Sequence, residues 1–70
     1  MSRENLIFWL SWCIEEYAAE NQLSATDVSA KFEENGVFDY LCENSEILHT
    51  QGKNYILGCI DDFLRQRISV

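Results

Sequence analysis

Residues 6–14 form the most apolar stretch of the chain, Leu6-Ile7-Phe8-Trp9-Leu10-Ser11-Trp12-Cys13-Ile14, with eight apolar residues in nine. On a helix, at about 100° per residue, this stretch has two apolar faces. The first has the spacing of a helix that packs on a core, and it comprises Leu6, Leu10, Cys13, Ile14 and Tyr17, flanked by Ile7 and Ala18. The second carries Phe8 and Trp12, with Trp9 and Ala19 at its margins. Either the helix runs through the middle of the domain, or its second face meets a partner chain.

Capping residues divide the first half of the chain into two predicted helices. Ser2 is the predicted N-cap of a helix over residues 3–20. A second helix is predicted over residues 25–35, between Ser24 as N-cap and Gly36 as a left-handed stop. Its expected buried residues are Ala25, Val28 and Phe32, and its expected exposed residues are Lys31, Glu33 and Glu34.

The apolar pattern of the second half of the chain predicts a short helix and a long helix. The short helix covers residues 37–43 and is broken by Asn44-Ser45. Ile47-Leu48 is an apolar pair in the following connection, and we expect it to fold back onto the core. Thr50 is the predicted N-cap of a last helix over residues 51–68. The expected apolar face of that helix comprises Ile56, Leu57, Ile60, Phe63, Leu64 and Ile68, with Gly58 among its polar positions.

The composition favours a small all-α fold. Seventy residues suffice for one domain, which we place over residues 1–70, and such a chain buries only about 60% of the surface that it exposes when unfolded. A hydrophobic share of 47% is ample for a globular core, and the absence of proline suits helices with short connections. We therefore predict a small compact bundle of three longer helices and one short helix.

The charge distribution argues against nucleic acid and membranes as partners. The net charge is −7, and residues 1–50 carry ten acids against Arg3 and Lys31. An acidic surface repels phosphate backbones and anionic lipids. A helix-turn-helix over residues 25–43 is disfavoured because residues 37–43 include two acids and no base. The acids form either an ordinary solvated surface or a face that meets a basic partner.

The cysteines favour a reducing compartment. Cys13, Cys42 and Cys59 are odd in number and have apolar neighbours, which is typical of buried free thiols. The apolar run is far shorter than the ~20 residues of a membrane span. It resembles a signal peptide only loosely, since Glu4 precedes it. We expect a cytoplasmic protein.

His49 is the only histidine and the one candidate for catalysis. With Cys42 it could form a thiol–base pair, but such a pair needs a fixed geometry and an orienting group that the sequence does not supply. The candidate pocket around it comprises His49, Thr50, Tyr40 and Tyr55. The simpler interpretation is that His49 caps or packs against the start of the last helix. Cysteines scattered singly lack the paired spacing of zinc sites. We predict no enzymatic activity, no metal and no cofactor.

Several segments resemble one family of short bacterial domains of unknown function, and together they span nearly the whole chain. They are Glu4-Asn5-Leu6-Ile7-Phe8-Trp9-Leu10, Ile14-Glu15-Glu16-Tyr17-Ala18, Leu23-Ser24, Gly36-Val37-Phe38-Asp39-Tyr40-Leu41, Leu48-His49-Thr50-Gln51-Gly52, Tyr55-Ile56 and Ile60. The Leu-His-Thr-Gln-Gly segment is the most distinctive. The resemblance implies a small accessory or antitoxin-like protein, encoded beside an ADP-ribosyltransferase-like domain, and it brings no catalytic residues.

The leading hypothesis is therefore a protein-interaction module that forms a homodimer or binds an adjacent gene product. Phe8, Trp9 and Trp12 would supply the anchors, since aromatic residues are enriched at interface hot spots. Glu15 and Glu16 would steer a basic partner. The alternatives are an ordinary core helix covered on both faces, and a small ligand-binding or enzymatic domain that uses His49 near Cys42, Tyr40 or Tyr55.

Overall fold

Five helices account for nearly all of the chain. The computed structural model describes residues 2–68 and, for Ile68, the backbone alone. The helices are α1 (Arg3–Asn21), α2 (Ala25–Glu34), α3 (Val37–Glu43), α4 (Ser45–Leu48) and α5 (Lys53–Ile68). Residues 2–68 contain no β-strand, and the predicted all-α class is confirmed. The Cα radius of gyration, 11.3 Å, agrees with the value of about 11 Å expected for a compact chain of this length.

The predicted helix boundaries of the first half are confirmed to within one residue at their caps. The hydroxyl of Ser2 accepts a hydrogen bond from the backbone N–H of Asn5, at 3.2 Å, and the hydroxyl of Ser24 accepts one from Asp27, at 3.0 Å. Gly36 has a φ of 74° and separates α2 from α3. The positive φ is the constraint that favours glycine, since a Cβ atom there would lie 2.7 Å from Nη2 of Arg67, the end of a flexible side chain that can shift.

Helix α1 packs against α2, α3 and α5 through its predicted core face. Tyr17 links α1 to two other helices. Its ring and that of Phe32 on α2 are in an edge-to-face arrangement with centroids 5.3 Å apart, and its hydroxyl donates to Oδ1 of Asp61 on α5 at 2.8 Å. Phe32 in turn packs edge-on against Phe38 of α3, at 5.9 Å. The buried core comprises Trp9, Cys13, Tyr17, Ala18, Val28, Phe32, Val37, Leu41, Leu48, Ile56, Leu57, Ile60 and Leu64.

The connection between α3 and α5 differs from its prediction. Ser45 does not extend the break but begins α4, because the carbonyl of Asn44 accepts the N–H groups of Ile47 and Leu48. Thr50 does not cap the last helix: its hydroxyl donates to the carbonyl of Ile47, at 2.8 Å, and so is used by the preceding turn. Helix α5 accordingly begins at Lys53, two residues later than predicted.

Several exposure predictions were also wrong. Leu48 enters the core as expected, but Ile47 is 67% exposed, because neighbours on one helical turn point in different directions. Ala25 is exposed and Lys31 is half-buried, the reverse of the prediction, and Ile7 lies outside the core. The predicted contribution of Ile68 to the apolar face concerns a side chain outside the described residues.

In the part of the chain that the structure describes, none of the helices combines the length and the apolar character needed to cross a membrane.

Gly58 generates the first prediction. It is exposed within α5, and a Cβ placed there meets no atom within 4 Å. We expect Gly58→Ala to raise the free energy of unfolding by about 0.5–1 kcal/mol, because glycine loses more conformational entropy than alanine in a helix. Gly36→Ala is the contrasting variant and should lower it by about 1–2 kcal/mol, the cost of a left-handed L-residue. Urea unfolding followed by circular dichroism measures both, and a loss of stability in Gly58→Ala would contradict the prediction.

Tyr17 generates a prediction about alkaline pH. Burial, together with the hydrogen bond to Asp61, raises the pKa of Tyr17 from 10.0 to about 12. Between pH 10 and 12 the unfolded chain loses this proton while the folded chain keeps it, so the contribution of Tyr17 to stability falls as pH rises. We expect the stability advantage of the wild type over Tyr17→Phe to shrink across this interval in denaturant titrations.

Tyr55→Phe is the control for this measurement, because Tyr55 is 59% exposed and its variant should stay close to the wild type throughout. Burial raises the pKa of the Cys13 thiol to about 12 as well, but this effect is common to all three proteins and cancels in their differences. A gap between wild type and Tyr17→Phe that stays constant from pH 10 to 12 would contradict the assignment.

Candidate interaction surface

The outer face of α1 exposes two aromatic side chains one helical turn apart. Phe8 is 73% exposed and Trp12 is 36% exposed. Both lie on the second apolar face that the sequence predicted, and that face is open to solvent rather than covered by another helix of the chain. We call Phe8 and Trp12 the aromatic face. Contiguous exposed apolar surface on a monomer often marks an interaction site.

Trp9 separates this face from the core. It is only 8% exposed, and its indole Nε1 donates to the carbonyl of Leu41 on α3 at 3.2 Å. Its ring stacks on that of Trp12, with centroids 5.9 Å apart and planes inclined by 11°. Trp9 is therefore a core residue, in contrast to its predicted place among the anchors, and its effect on the surface is to orient Trp12. A side chain held in place loses less entropy when a partner binds.

The two predicted steering acids lie in different environments. Glu15 is exposed, and it continues the row of Phe8 along α1 at i+7 spacing. Glu16 is half-buried, and its carboxylate lies 3.9 Å from Nζ of Lys53 on α5. Among the described residues, only Glu16 of this pair has an ion-pair partner. Glu15 is the acid that remains available to a second chain.

A groove runs between α1 and α2 beside the aromatic face. It has a volume of about 520 Å³ and is lined by Ser11, Ile14 and Glu15 of α1 and by Ala25, Thr26, Ser29, Ala30 and Glu33 of α2. The groove exists because α2 places small side chains on the side that faces it. Our sequence interpretation missed this feature, although the spacing of Ala25, Ser29 and Ala30 on one helix face could have indicated it.

The residues predicted around His49 do not form one site. Nδ1 of His49 lies 2.6 Å from the carbonyl oxygen of Ser45, so the ring packs back on α4 rather than on the start of α5. Over residues 2–67, His49 makes no hydrogen bond to Cys42 or to either candidate tyrosine. Cys42 instead lines a separate hollow of about 390 Å³ with Leu6 and other residues of α3 and α4.

Tyr40 belongs to a different cluster on α3 and α5. Its ring stacks on Phe63, with centroids 4.5 Å apart. Burial, with further contributions from Cys59 and Tyr55, raises the pKa of Tyr40 above its usual value of 10.0. A phenol of raised pKa keeps its proton at neutral pH and is a poor general base. The side-chain interactions of Tyr40 are with Phe63, Cys59, Tyr55 and Asp62, and within the described residues none is with His49.

The remaining candidates for chemistry are not assembled either. Cys13, Cys42 and Cys59 are free thiols, of which Cys13 is buried and the other two are half-buried. Within the described residues, no three histidine, cysteine, aspartate or glutamate side chains come together in a way that could hold a metal ion.

Fold and surface together define a small all-α protein whose longest helix keeps one aromatic face in solvent. The family model described as "Protein of unknown function (DUF3791)" matches residues 8–67, and the chain belongs to this family. The resemblance noted in the sequence is thus confirmed at the level of a short domain of unknown function. No curated protein and no solved structure matches the chain.

The burial difference between neighbouring aromatics generates the third prediction. Trp9→Ala should lower the free energy of unfolding by about 3–5 kcal/mol, because it removes a buried aromatic ring and leaves a cavity. Phe8→Ser should change it by no more than about 0.5 kcal/mol, as is usual for exposed positions. Chemical denaturation of both variants tests the contrast. A Phe8→Ser variant as unstable as Trp9→Ala would show that the aromatic face is part of the core.

Proposed function

We propose that this chain is an acidic helical module that binds a separate protein of basic surface through the aromatic face of α1. The observation that carries the proposal is the 73% exposure of Phe8 next to Trp12, which is held by its stack on Trp9. Burying one such side chain contributes about 1.5–3 kcal/mol. This free energy is gained when a bound partner covers Phe8, whereas in the chain alone the side chain stays exposed.

Charge supports a basic partner over a second copy of the chain. The net charge is −7, and Glu4 and Glu15 are exposed on α1 beside the aromatic face. In a symmetric dimer each patch meets its own copy, so these acids would face like charges at close range. A partner with lysine or arginine around an apolar centre has no such cost and is attracted at long range. A homodimer is the alternative occupant of the same face.

The finer identity of the partner rests on the family resemblance. It implies an accessory or antitoxin-like protein, and we propose that the partner is the product of an adjacent gene, of the ADP-ribosyltransferase-like kind. The proposal needs no enzymatic step, nucleic acid or membrane. Three free thiols support a reducing, cytoplasmic compartment as its location. A ligand-binding or enzymatic role for His49 has less support, because its ring is engaged with α4.

Site-specific photo-crosslinking in cells that express the chain at its natural level tests the proposal. Phe8→benzoylphenylalanine should give an adduct with one basic protein, identified by mass spectrometry. The matched control is Gln66→benzoylphenylalanine, at an exposed position of α5, a helix that contributes no residue to the aromatic face, and it should give no such adduct. Equal adducts at both positions, or none at position 8, would contradict the proposal.

The crosslinking experiment also distinguishes a basic partner from a second copy of the chain. An adduct of two copies of the chain would support the homodimer and exclude the basic partner. Light scattering on the purified wild type gives an independent answer: we expect the monomer mass of 8.2 kDa.

A further inference from the structure

The groove between α1 and α2 has the form of a helix-binding site. On α1 the row formed by Phe8, Ser11 and Glu15 has i, i+3, i+7 spacing, and on α2 Thr26, Ser29 and Glu33 have the same spacing. On α2, residues 26–33 span about 10 Å, or two turns, whereas the α1 residues that line the groove run from Ser11 to Glu15 and span about 6 Å, or one turn. Phe8 does not line the groove, but it precedes Ser11 by one turn on the same row of α1.

The small side chains of the groove suit a helix more than a small molecule. Ser29 and Ala30 have small side chains, which allow a second helix to approach closely. The groove is shallow and open to solvent, whereas a small-molecule site encloses most of its ligand. Ile14 supplies an apolar contact at the α1 wall.

The charges of the two groove walls favour an occupant of positive charge. Glu15 on α1 and Glu33 on α2 both line the groove, and neither forms an ion pair within the described residues. By contrast, Glu16 is paired with Lys53, and Asp62 is paired with Arg65. The groove thus keeps one available carboxylate on each wall, which is complementary to a cationic segment.

We propose that the α1–α2 groove binds an amphipathic α-helix of the partner. Its apolar side meets Ile14 and Ala30, and its lysine or arginine residues meet Glu15 and Glu33. The mode is that of a helix laid into a groove between two helices. This inference rests on the proposed function and gives the partner a secondary structure, a charge and a place on the surface.

The test uses a synthetic peptide as probe. It is an 18-residue amphipathic helix with leucine and alanine on one side and lysine on the other. One comparison peptide has glutamate in place of lysine, and a second has the same composition with two central prolines that break the helix. Titrations followed by the amide resonances of ¹⁵N-labelled protein should show saturable binding of the lysine helix, with the largest shifts at Ser11, Ser29 and Ala30.

Two variants test charge and shape separately. Glu15→Lys/Glu33→Lys should weaken binding of the lysine helix at least tenfold, whereas Glu20→Lys/Glu34→Lys, with the same net charge, should weaken it no more than about threefold. Ala30→Phe should fill the groove and weaken binding at least fivefold without a change of charge. All five positions are exposed, and circular dichroism checks that each variant folds.

Three results would overturn the inference: equal binding of the glutamate or proline peptide, equal losses in the two charge variants, or resonance shifts that avoid the groove. Failure of this inference is distinguishable from failure of the proposed function. A specific adduct at position 8 that persists in Ala30→Phe and in Glu15→Lys/Glu33→Lys would retain the aromatic face as the binding surface and exclude the groove. Absence of the adduct at position 8 would exclude the binding module itself.

Discussion

The position of Trp9 determines how the rest of α1 is used. Its indole N–H bonds to the carbonyl of Leu41, and its ring is buried, so this side of α1 is held against α3. Because one helix cannot turn all of its faces toward the same small core, Phe8 stays in solvent. Trp12 is intermediate in exposure between Trp9 and Phe8, and its ring stacks on that of Trp9. Trp9 thus packs in the core of the domain and also holds the exposed side chain of Trp12 in place.

The fold also explains why an acid without an ion-pair partner lies beside the aromatic face. Helix α5, which carries Lys53, packs on a different side of α1 and takes Glu16 as its partner. Glu15, one residue earlier, points about 100° away and faces the α1–α2 groove instead. Three of the five basic residues of the chain, Lys53, Arg65 and Arg67, are on α5 and do not line this groove. That asymmetry in charge would attract, at long range, a basic partner of the kind that we propose.

Much of the fold could be predicted from local signals, and the failures have a common cause. The caps at Ser2 and Ser24 and the left-handed Gly36 depend on backbone needs within one turn, and each is confirmed. Thr50 has the same side-chain chemistry as Ser24, but its hydroxyl bonds to the turn before it rather than the helix after it. The hydroxyl of Thr50 can either cap the following helix or bond to the preceding turn, and which of the two it does depends on where α4 ends.

The sequence by itself determined the helical class, the helix starts of the first half and the presence of two apolar faces on α1, because these follow from residue type and from a period of 3.6. Tertiary structure alone decided that the second face of α1 stays uncovered, that Trp9 belongs to the core, and that His49 and Tyr40 lie in separate clusters. Those outcomes depend on contacts between residues far apart in the chain, such as Trp9 with Leu41 at a separation of 32. Periodicity within one helix carries no information on which neighbour will cover it.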